Sequence, residues 1–256
     1  MIELYNEDCL VGMKRIGDWQ IDMICCDLPY GVLNKSNPQA KWDCELPLDK
    51  LWEQYLRIIK PNGAIILFGQ GMFTAKVMMS QPKLWRYNLI WDKVGKTGFL
   101  NANRMPLRCH EDVMVFYKKL PTYNPQMTIC PPHKRNHSKG NMAKPQTNRC
   151  YGNFVETPTV ISDEKFPTSI MSIPREHQNG CFFHPTQKSV ALLEYLIKTY
   201  SNEGDTVLDN CMGSGTCGVA CVNTERNFIG FELNKEFYDI AEKRINNQKR
   251  QLKLDL

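Results

Sequence analysis

Short apolar runs and longer stretches with helical spacing alternate along most of this chain. Ile2 to Tyr5 reads as a strand, followed by the polar Asn6-Glu7-Asp8 and a helix from Cys9 to Ile16. Ile21, Met23 and Ile24 form a second apolar run, which predicts a buried strand ending near Asp27. From Leu48 to Lys60 the apolar residues at 48, 51, 52, 55, 56, 58 and 59 trace one helical face, entered by Pro47 and stopped by Pro61-Asn62-Gly63. Ala64 to Phe68 is then a strand, Phe73 to Ser80 a helix, and Tyr87 to Trp91 and Val113 to Tyr117 are further strands. After a long irregular stretch the pattern resumes with a helix through Val190 to Tyr200, a strand at Thr206 to Leu208 and a helix from Gly215 to Val222. A strand at Asn227 to Phe231 and a last amphipathic helix from Lys235 to Asn247 complete it. Strand, glycine turn, helix, strand and acidic residue in that order make a crossover unit of a parallel sheet. The fold class is therefore α/β, with a mostly parallel central sheet and helices on both faces.

The irregular stretch changes this picture. Eight of the fifteen prolines fall between Pro121 and Phe183, where neither period survives for more than a few residues. This reads as an insertion into one domain: residues 1–120 form a first half, 121–183 the insertion and 184–256 the second half. A second polar loop, Val32 to Glu45, is long enough to be a lid.

Charge sharpens the reading of the insertion. The whole chain carries a net charge of only +5, yet from Val113 to Val155 there is no Asp or Glu. Lys118, Lys119, Lys134, Arg135, Lys139, Lys144 and Arg149 all lie there, interleaved with Tyr117, Tyr123, Tyr151 and Phe154. Cations without counter-charge beside stackable rings suit a phosphate backbone, although a solvated polar loop has the same composition. Lys93, Lys96, Arg104 and Arg108 extend the basic run upstream. Cys130, His133, His137 and Cys150 match zinc-ligand spacing only weakly, so no metal is expected.

A chain of 256 residues, 42% apolar and 23% charged, can bury a full core. The N-terminal residues carry no signal pattern and the longest apolar run, Ala64 to Phe68, is too short to span a bilayer, so a cytoplasmic protein is expected. The eleven cysteines show no paired frame and read as reduced thiols.

Two stretches carry chemistry. Asp27-Leu28-Pro29-Tyr30 puts a carboxylate, a bend and an aromatic ring at a strand's C-terminal edge, where open α/β sheets bind ligands; the structural alternative is a capped, stiffened turn. Asp209 to Gly218 follows a strand and opens a helix, and Gly213, Gly215 and Gly218 fit G-x-G-x-x-G with Glu232 ending the next strand. That pattern admits a nicotinamide dinucleotide or any adenosine-bearing ligand. Against the dinucleotide, only about forty residues follow the loop, too few to complete a dinucleotide half-sheet, and Asp27 would have no task.

Asp27-Leu28-Pro29-Tyr30, His184-Pro185-Thr186-Gln187-Lys188, Asp209 to Thr216 and Phe228-Ile229-Gly230-Phe231-Glu232 together resemble the amino-group DNA methyltransferases. Their order, catalytic turn first and glycine loop near the C-terminus, is similar to the circularly permuted beta arrangement of that family. The resemblance implies a Rossmann-like methyltransferase fold, S-adenosylmethionine as cofactor and double-stranded DNA as partner, and relatives of this arrangement often form homodimers. It implies Asp27 and the Leu28 carbonyl as acceptors of the target amino hydrogens, with Pro29 shaping the turn and Tyr30 stacking on the flipped base. The cofactor would be held by Asp8, Thr186, Lys188, Asp209, Met212, Gly213, Ser214, Gly215, Thr216 and Glu232. DNA would be held by Lys93, Arg104, Arg108, Lys134, Arg135, Lys139, Lys144 and Arg149. Asp at the first catalytic position favours adenine N6 over cytosine N4. Leu28 stands where the family usually has proline, and Asn210-Cys211 where Pro-Phe is common. RNA or protein methylation, a non-catalytic DNA-binding relative and a nicotinamide oxidoreductase remain as alternatives.

Overall fold

The computed structural model describes residues 1–32, 34, 43–129, 163–176 and 187–254. In chain order the elements are β1 (Ile2–Tyr5), α1 (Cys9–Gly12), β2 (Ile21–Cys26), α2 (Leu48–Ile58), β3 (Ile59–Gly69), α3 (Met72–Ser80), β4 (Trp85–Thr97) and β5 (Arg108–Phe116). Then come β6 (Thr128–Ile129), β7 (Glu164–Lys165), β8 (Ile170–Ser172), α4 (Val190–Tyr200), β9 (Thr206–Asp209), α5 (Thr216–Asn223), β10 (Asn227–Phe231) and α6 (Lys235–Leu254).

β2 is apolar on both sides. Met23 and Cys25 join one core, Ile24 and Cys26 the other, and none of the four is more than 1% exposed. Such a strand belongs in the middle of a sheet covered on both faces. The sheet has eight strands in the order β1-β10-β9-β2-β3-β5-β4-β8, parallel from β1 through β3, with β5 antiparallel to both its neighbours and β8 parallel to β4. Leu192 and Leu196 of α4, Ala220 of α5 and Ile245 of α6 cover one face; Trp52 and Tyr55 of α2 and Val77 of α3 cover the other. Asp22 ties three strands together where the parallel part begins: it accepts from Lys60 Nζ at 2.6 Å and from the Thr206 amide at 3.0 Å.

Several elements differ from the sequence reading. α2 ends at Ile58 because β3 starts at once, and Pro61-Asn62-Gly63 lie inside that strand. Ile21 pairs with Ile59 but Met23 with Ala64, so β3 bulges here and the proline sits where no ladder bond is needed. β4 runs on to Thr97, well past Trp91, with a second irregularity between Asp92 and Thr97. Ile170–Ser172, expected inside an aperiodic insertion, is instead the edge strand of the large sheet; only Met171 of its three residues is buried, which leaves no period to read.

Residues 125–167 form a separate compact unit, the rest of the chain another. Within the small unit β6 and β7 pair antiparallel. The zinc-spaced Cys130, His133, His137 and Cys150, and the aromatic Tyr151 and Phe154, lie outside the described residues. Among the described residues eight cysteines are free thiols, no cluster could hold a metal ion, and no helix is long and apolar enough to cross a membrane.

Candidate active site

β2 and β9 are parallel neighbours, and each delivers an aspartate at its carboxyl end: Asp27 just after β2, Asp209 as the last residue of β9. A cavity of about 950 Å³ opens at this edge, lined by Asp8, Asp27, Lys188, Asp209, Gly213 and Glu232 among others. The acidic turn and the glycine loop, 182 residues apart in sequence from Asp27 to Asp209, thus share one site, at the edge where parallel sheets bind ligands.

Asp27 is held from two sides. Its Oδ1 accepts from the Tyr30 hydroxyl at 2.9 Å and its Oδ2 from Lys188 Nζ at 2.6 Å. The Tyr30 ring stacks on Phe73 at 4.6 Å, which fixes the turn against α3. Lys188 Nζ also lies 3.1 Å from Glu111 Oε2, and Glu111 Oε1 lies 3.2 Å from Lys93 Nζ. Two carboxylates and two ammonium groups therefore form one buried chain from Tyr30 to Lys93. Burial pushes the Asp27 carboxyl above its usual range against the pull of Lys188, and the charge of Glu111 adds to the rise. Burial acts the same way on Glu111, but Lys188 and Lys93 outweigh it and hold that carboxyl low. Burial opposes the Lys188 charge, yet Asp27 and Glu111 more than compensate, so the ammonium stays protonated.

The glycine loop is shaped from three directions. The Met212 amide donates to the Phe231 carbonyl at 2.9 Å, and the Gly215 amide to the Met212 carbonyl at 2.8 Å. Gly215 has φ +77°, and a Cβ there would stand 2.8 Å from Ala241 Cβ of α6. Arg244 of α6 donates through Nη1 to the Ser214 carbonyl at 2.6 Å, the Ser214 hydroxyl at 2.9 Å and the Thr216 hydroxyl at 3.2 Å. Asn210 is almost fully buried: Tyr55 of α2 donates its hydroxyl to the side-chain oxygen, and the amide group donates to the sulfurs of Cys9 at 3.5 Å and Cys211 at 3.4 Å. At Asn210-Cys211, the departure noted in the sequence, the structure therefore has a buried hydrogen-bonded polar group. Burial pushes Asp209 up to about 7, even though the Cys211 amide donates to it at 3.1 Å.

At the other end of the cavity Glu232 accepts from the Gly213 amide at 2.9 Å and the Asn234 amide at 2.8 Å, and burial raises its pKa. Asp8 caps α1 by accepting from the Leu10 amide at 2.7 Å, which holds that carboxylate at the edge of the same cavity.

Of the residues singled out from the sequence, Asp8, Asp27, Leu28, Pro29, Tyr30, Lys188, Asp209, Met212, Gly213, Ser214, Thr216 and Glu232 all line this cavity, and Gly215 stands beside it against α6. Lys188 is placed differently from the expectation that it meets a cofactor carboxylate, because it is bound to Asp27 and Glu111. Lys93, expected on DNA, is 5% exposed and paired with Glu111, since β4 turns it into the sheet's end rather than to solvent. Arg104 is exposed, and Arg108 is exposed at the cavity mouth, donating to Gln70 Oε1 at 2.8 Å. Thr186, Lys134, Arg135, Lys139, Lys144 and Arg149 lie outside the described residues, as does most of the loop from Val32 to Glu45. The near ends of that loop are joined: Asp43 accepts from the amides of Gly31 at 3.0 Å and Val32 at 2.8 Å. Glu111, Arg244 and Tyr55 escaped the sequence reading. Only Glu111 left a trace there, in the polar His110-Glu111-Asp112 at the head of an otherwise apolar strand.

Known proteins resemble this chain in sequence and in fold. The chain is 27% identical over 254 residues to the type II methyltransferase M.HpaI of Haemophilus parainfluenzae, covering 96% of this chain and 74% of the relative. It is 25% identical over 258 residues to the DNA adenine methyltransferase YhdJ of Escherichia coli, covering 95% and 82% respectively. The crystal structure of an M1.HpyAVI–SAM complex superposes with a TM-score of 0.64 at 25% identity, covering 96% of this chain and all of that one. The sequence model of a family described as DNA methylase, acting at N6 or N4, matches residues 21–243. With the acidic turn and the glycine loop both inside that span, the chain belongs to the N6/N4 DNA methylases, a family of S-adenosylmethionine-dependent DNA methyltransferases.

Proposed function

We propose that this chain transfers a methyl group from S-adenosylmethionine to adenine N6 in duplex DNA, with the target base flipped into the cavity beside Asp27. The observation that carries the reading is that Asp27 and the glycine loop end adjacent parallel strands and line one cavity. The cavity's donor set fits the cofactor. Glu232 and Asp8 offer carboxylates to ribose hydroxyls and an adenine amino group, and Asp209 offers one to an ammonium. The start of α5, with Ser214 and Thr216, suits a carboxylate. When bound, the cofactor supplies an electrophilic methyl group on a sulfonium.

The protein's own part follows from the chemistry of the acceptor. An exocyclic amino nitrogen is a poor nucleophile because its lone pair is delocalised into the ring. Accepting its hydrogens at Asp27 and at the Leu28 carbonyl returns density to nitrogen, and a carboxylate held above its usual pKa is the stronger acceptor. Tyr30, donating to Asp27 and stacked on Phe73, keeps that carboxylate aimed and offers an aromatic surface for the base. Positioning then supplies much of the acceleration. Flipping costs a few kcal/mol, which stacking and pocket hydrogen bonds offset.

Adenine is supported by Asp at the first catalytic position and by the adenine methyltransferase among the relatives. Cytosine N4 is the second reading, and the methylated base recovered from DNA separates the two. The exposed Arg104 and Arg108, and the basic residues of the insertion, are proposed as phosphate contacts; Lys93 is withdrawn from that set. A cytoplasmic setting accords with eight free thiols among the described residues, and light scattering of the purified chain distinguishes a monomer from the homodimer that the resemblance implies.

The test is Asp27→Ala, assayed with tritiated methyl donor and plasmid DNA. Cofactor binding is retained and transfer lost; transfer at the wild-type rate by that variant refutes the role of Asp27.

A further inference from the structure

The buried chain beyond Asp27 has work to do once a base arrives. Lys188 is 8% exposed, Lys93 5%, and their charges are matched by those of Asp27 and Glu111. In the structure Asp27 is already engaged, by Tyr30 on one oxygen and by Lys188 on the other. To accept an amino hydrogen from a substrate base, Asp27 must share an oxygen that Lys188 now holds at 2.6 Å. A buried ammonium that loses its partner is strongly destabilising. Glu111 removes that difficulty, because its second oxygen stands 3.1 Å from the same Nζ and remains there whatever Asp27 does.

We propose that Glu111, backed by Lys93, is a positioning residue for methyl transfer. It keeps Lys188 paired while Asp27 turns an oxygen to the target amino group, and it prevents Lys188 from locking Asp27 into a private ion pair. Glu111 touches neither base nor cofactor in this scheme and acts only through Lys188. The inference rests on the proposed role of Asp27. Position in the fold explains the division of labour. Asp27 follows β2, Glu111 sits on β5 two strands away, and Lys188 arrives from the segment before α4 to bridge them. The Phe68 ring centroid lies 5.2 Å from Lys188 Nζ and gives the ammonium an aromatic neighbour beside its two carboxylates.

The groups facing Asp27 define a pH test. They are Tyr30 and Cys26 near its own turn, Lys188 ahead of α4, Glu111 on β5 and Asp209 at the end of β9. Asp27 accepts only when unprotonated, so the acid limb of the rate profile follows its pKa. Glu111→Gln removes a neighbouring negative charge and gives Lys188 wholly to Asp27. Single-turnover transfer to plasmid DNA then falls at least ~10-fold, as expected for a weakened acceptor, and the acid limb moves to lower pH. The dissociation constant for S-adenosylmethionine stays near wild type, while the melting temperature falls because the buried Lys93 loses its carboxylate partner. Lys93→Met, close in shape, leaves Glu111 to bind Lys188 alone and loosens its hold on Asp27, so the acid limb moves to higher pH.

Opposite displacements in the two variants support the proposal, and if Glu111→Gln does not fold, the upward displacement in Lys93→Met is the deciding measurement. A transfer rate within about twofold of wild type for Glu111→Gln overturns it. So does a loss of rate with the acid limb unmoved, which marks a merely structural role, or displacement of both limbs in the same direction. Wild-type protein that transfers no methyl to DNA overturns the proposed function and this inference with it, whereas an active wild type with an unaltered Glu111→Gln overturns the inference alone.

Discussion

Gly215→Ala perturbs the glycine loop at a point where its shape is tightly constrained. The residue has φ +77°, and an added Cβ would stand 2.8 Å from Ala241 Cβ and 3.1 Å from Ile245 Cδ1. Two costs follow. A side-chain-bearing residue in the left-handed region costs about 1–2 kcal/mol, and a methyl forced into a packed neighbour costs about 1–3 kcal/mol. Ala241 Cα lies only 2.9 Å away, so the neighbour is backbone and cannot simply rotate aside. The sum is about 2–5 kcal/mol of stability. Gly204 provides the control. Its φ is +81°, but a Cβ there meets nothing within 4 Å, so Gly204→Ala carries the strain alone, reduced by the stiffer unfolded chain to about 1 kcal/mol. For a chain of this size about 2–4 °C of melting temperature corresponds to each kcal/mol. The expected losses are therefore about 4–20 °C for Gly215→Ala and about 2–4 °C for Gly204→Ala, read by thermal melts and checked by equilibrium urea unfolding. Isothermal titration with S-adenosylmethionine should show affinity lowered at least ~10-fold for Gly215→Ala and unchanged for Gly204→Ala. Equal melting losses in the two variants would show that packing on α6 plays no part, and the steric argument fails.

Asp209→Asn tests the second acid of the cavity. The folded carboxyl, pushed up to about 7, binds its proton more tightly than the unfolded chain does, so stability is lost as pH rises from about 4 to about 7 and the native state is strained above that. The displacement corresponds to ~4 kcal/mol at most; Asp209→Asn flattens the dependence and raises the melting temperature at pH 8, while weakening cofactor binding. Melting curves for wild type and variant that stay parallel from pH 4 to 8 would contradict this. For DNA, replacing Lys96 and Arg104 together by Gln should weaken binding uniformly across sequences and reduce the slope of log K against log salt by about 1 for each phosphate that is no longer neutralised. An unchanged slope in a salt titration removes the β4–β5 turn from the interface.

Much of this architecture was legible in the sequence because the central strands are buried on both faces. Ile21 to Cys26 and Ala64 to Phe68 show directly as apolar runs, and Asp27 to Tyr30 and Asp209 to Gly218 stand out by composition as turns at strand ends, each with a second reading left open by its residues alone. What stayed hidden depends on pairings between residues far apart. Nothing local marks Lys188 as a partner of Asp27, 161 residues away, rather than of an anion. Nothing local marks Lys93 as buried, because a basic residue in a basic stretch reads as surface until its strand is seen to carry it toward Glu111. The bulge that lets β3 begin before Pro61 is a property of pairing with β2, and so is invisible in β3 alone.

The stretches of the large unit that flank residues 125–167 are fastened within the large unit itself. Asn124 donates its backbone amide to the Thr199 carbonyl at 2.8 Å and its side-chain amide to the Ser201 carbonyl at 3.1 Å. On the return, the Ile90 amide reaches the Ser169 carbonyl at 2.7 Å, and β8 joins β4 through Ile170 to Ser172. None of these bonds depends on a residue from 125 to 167. An exchange of that segment for another of different length or charge therefore leaves each of these attachments with its own donor and acceptor, and the eight-stranded sheet closes without it.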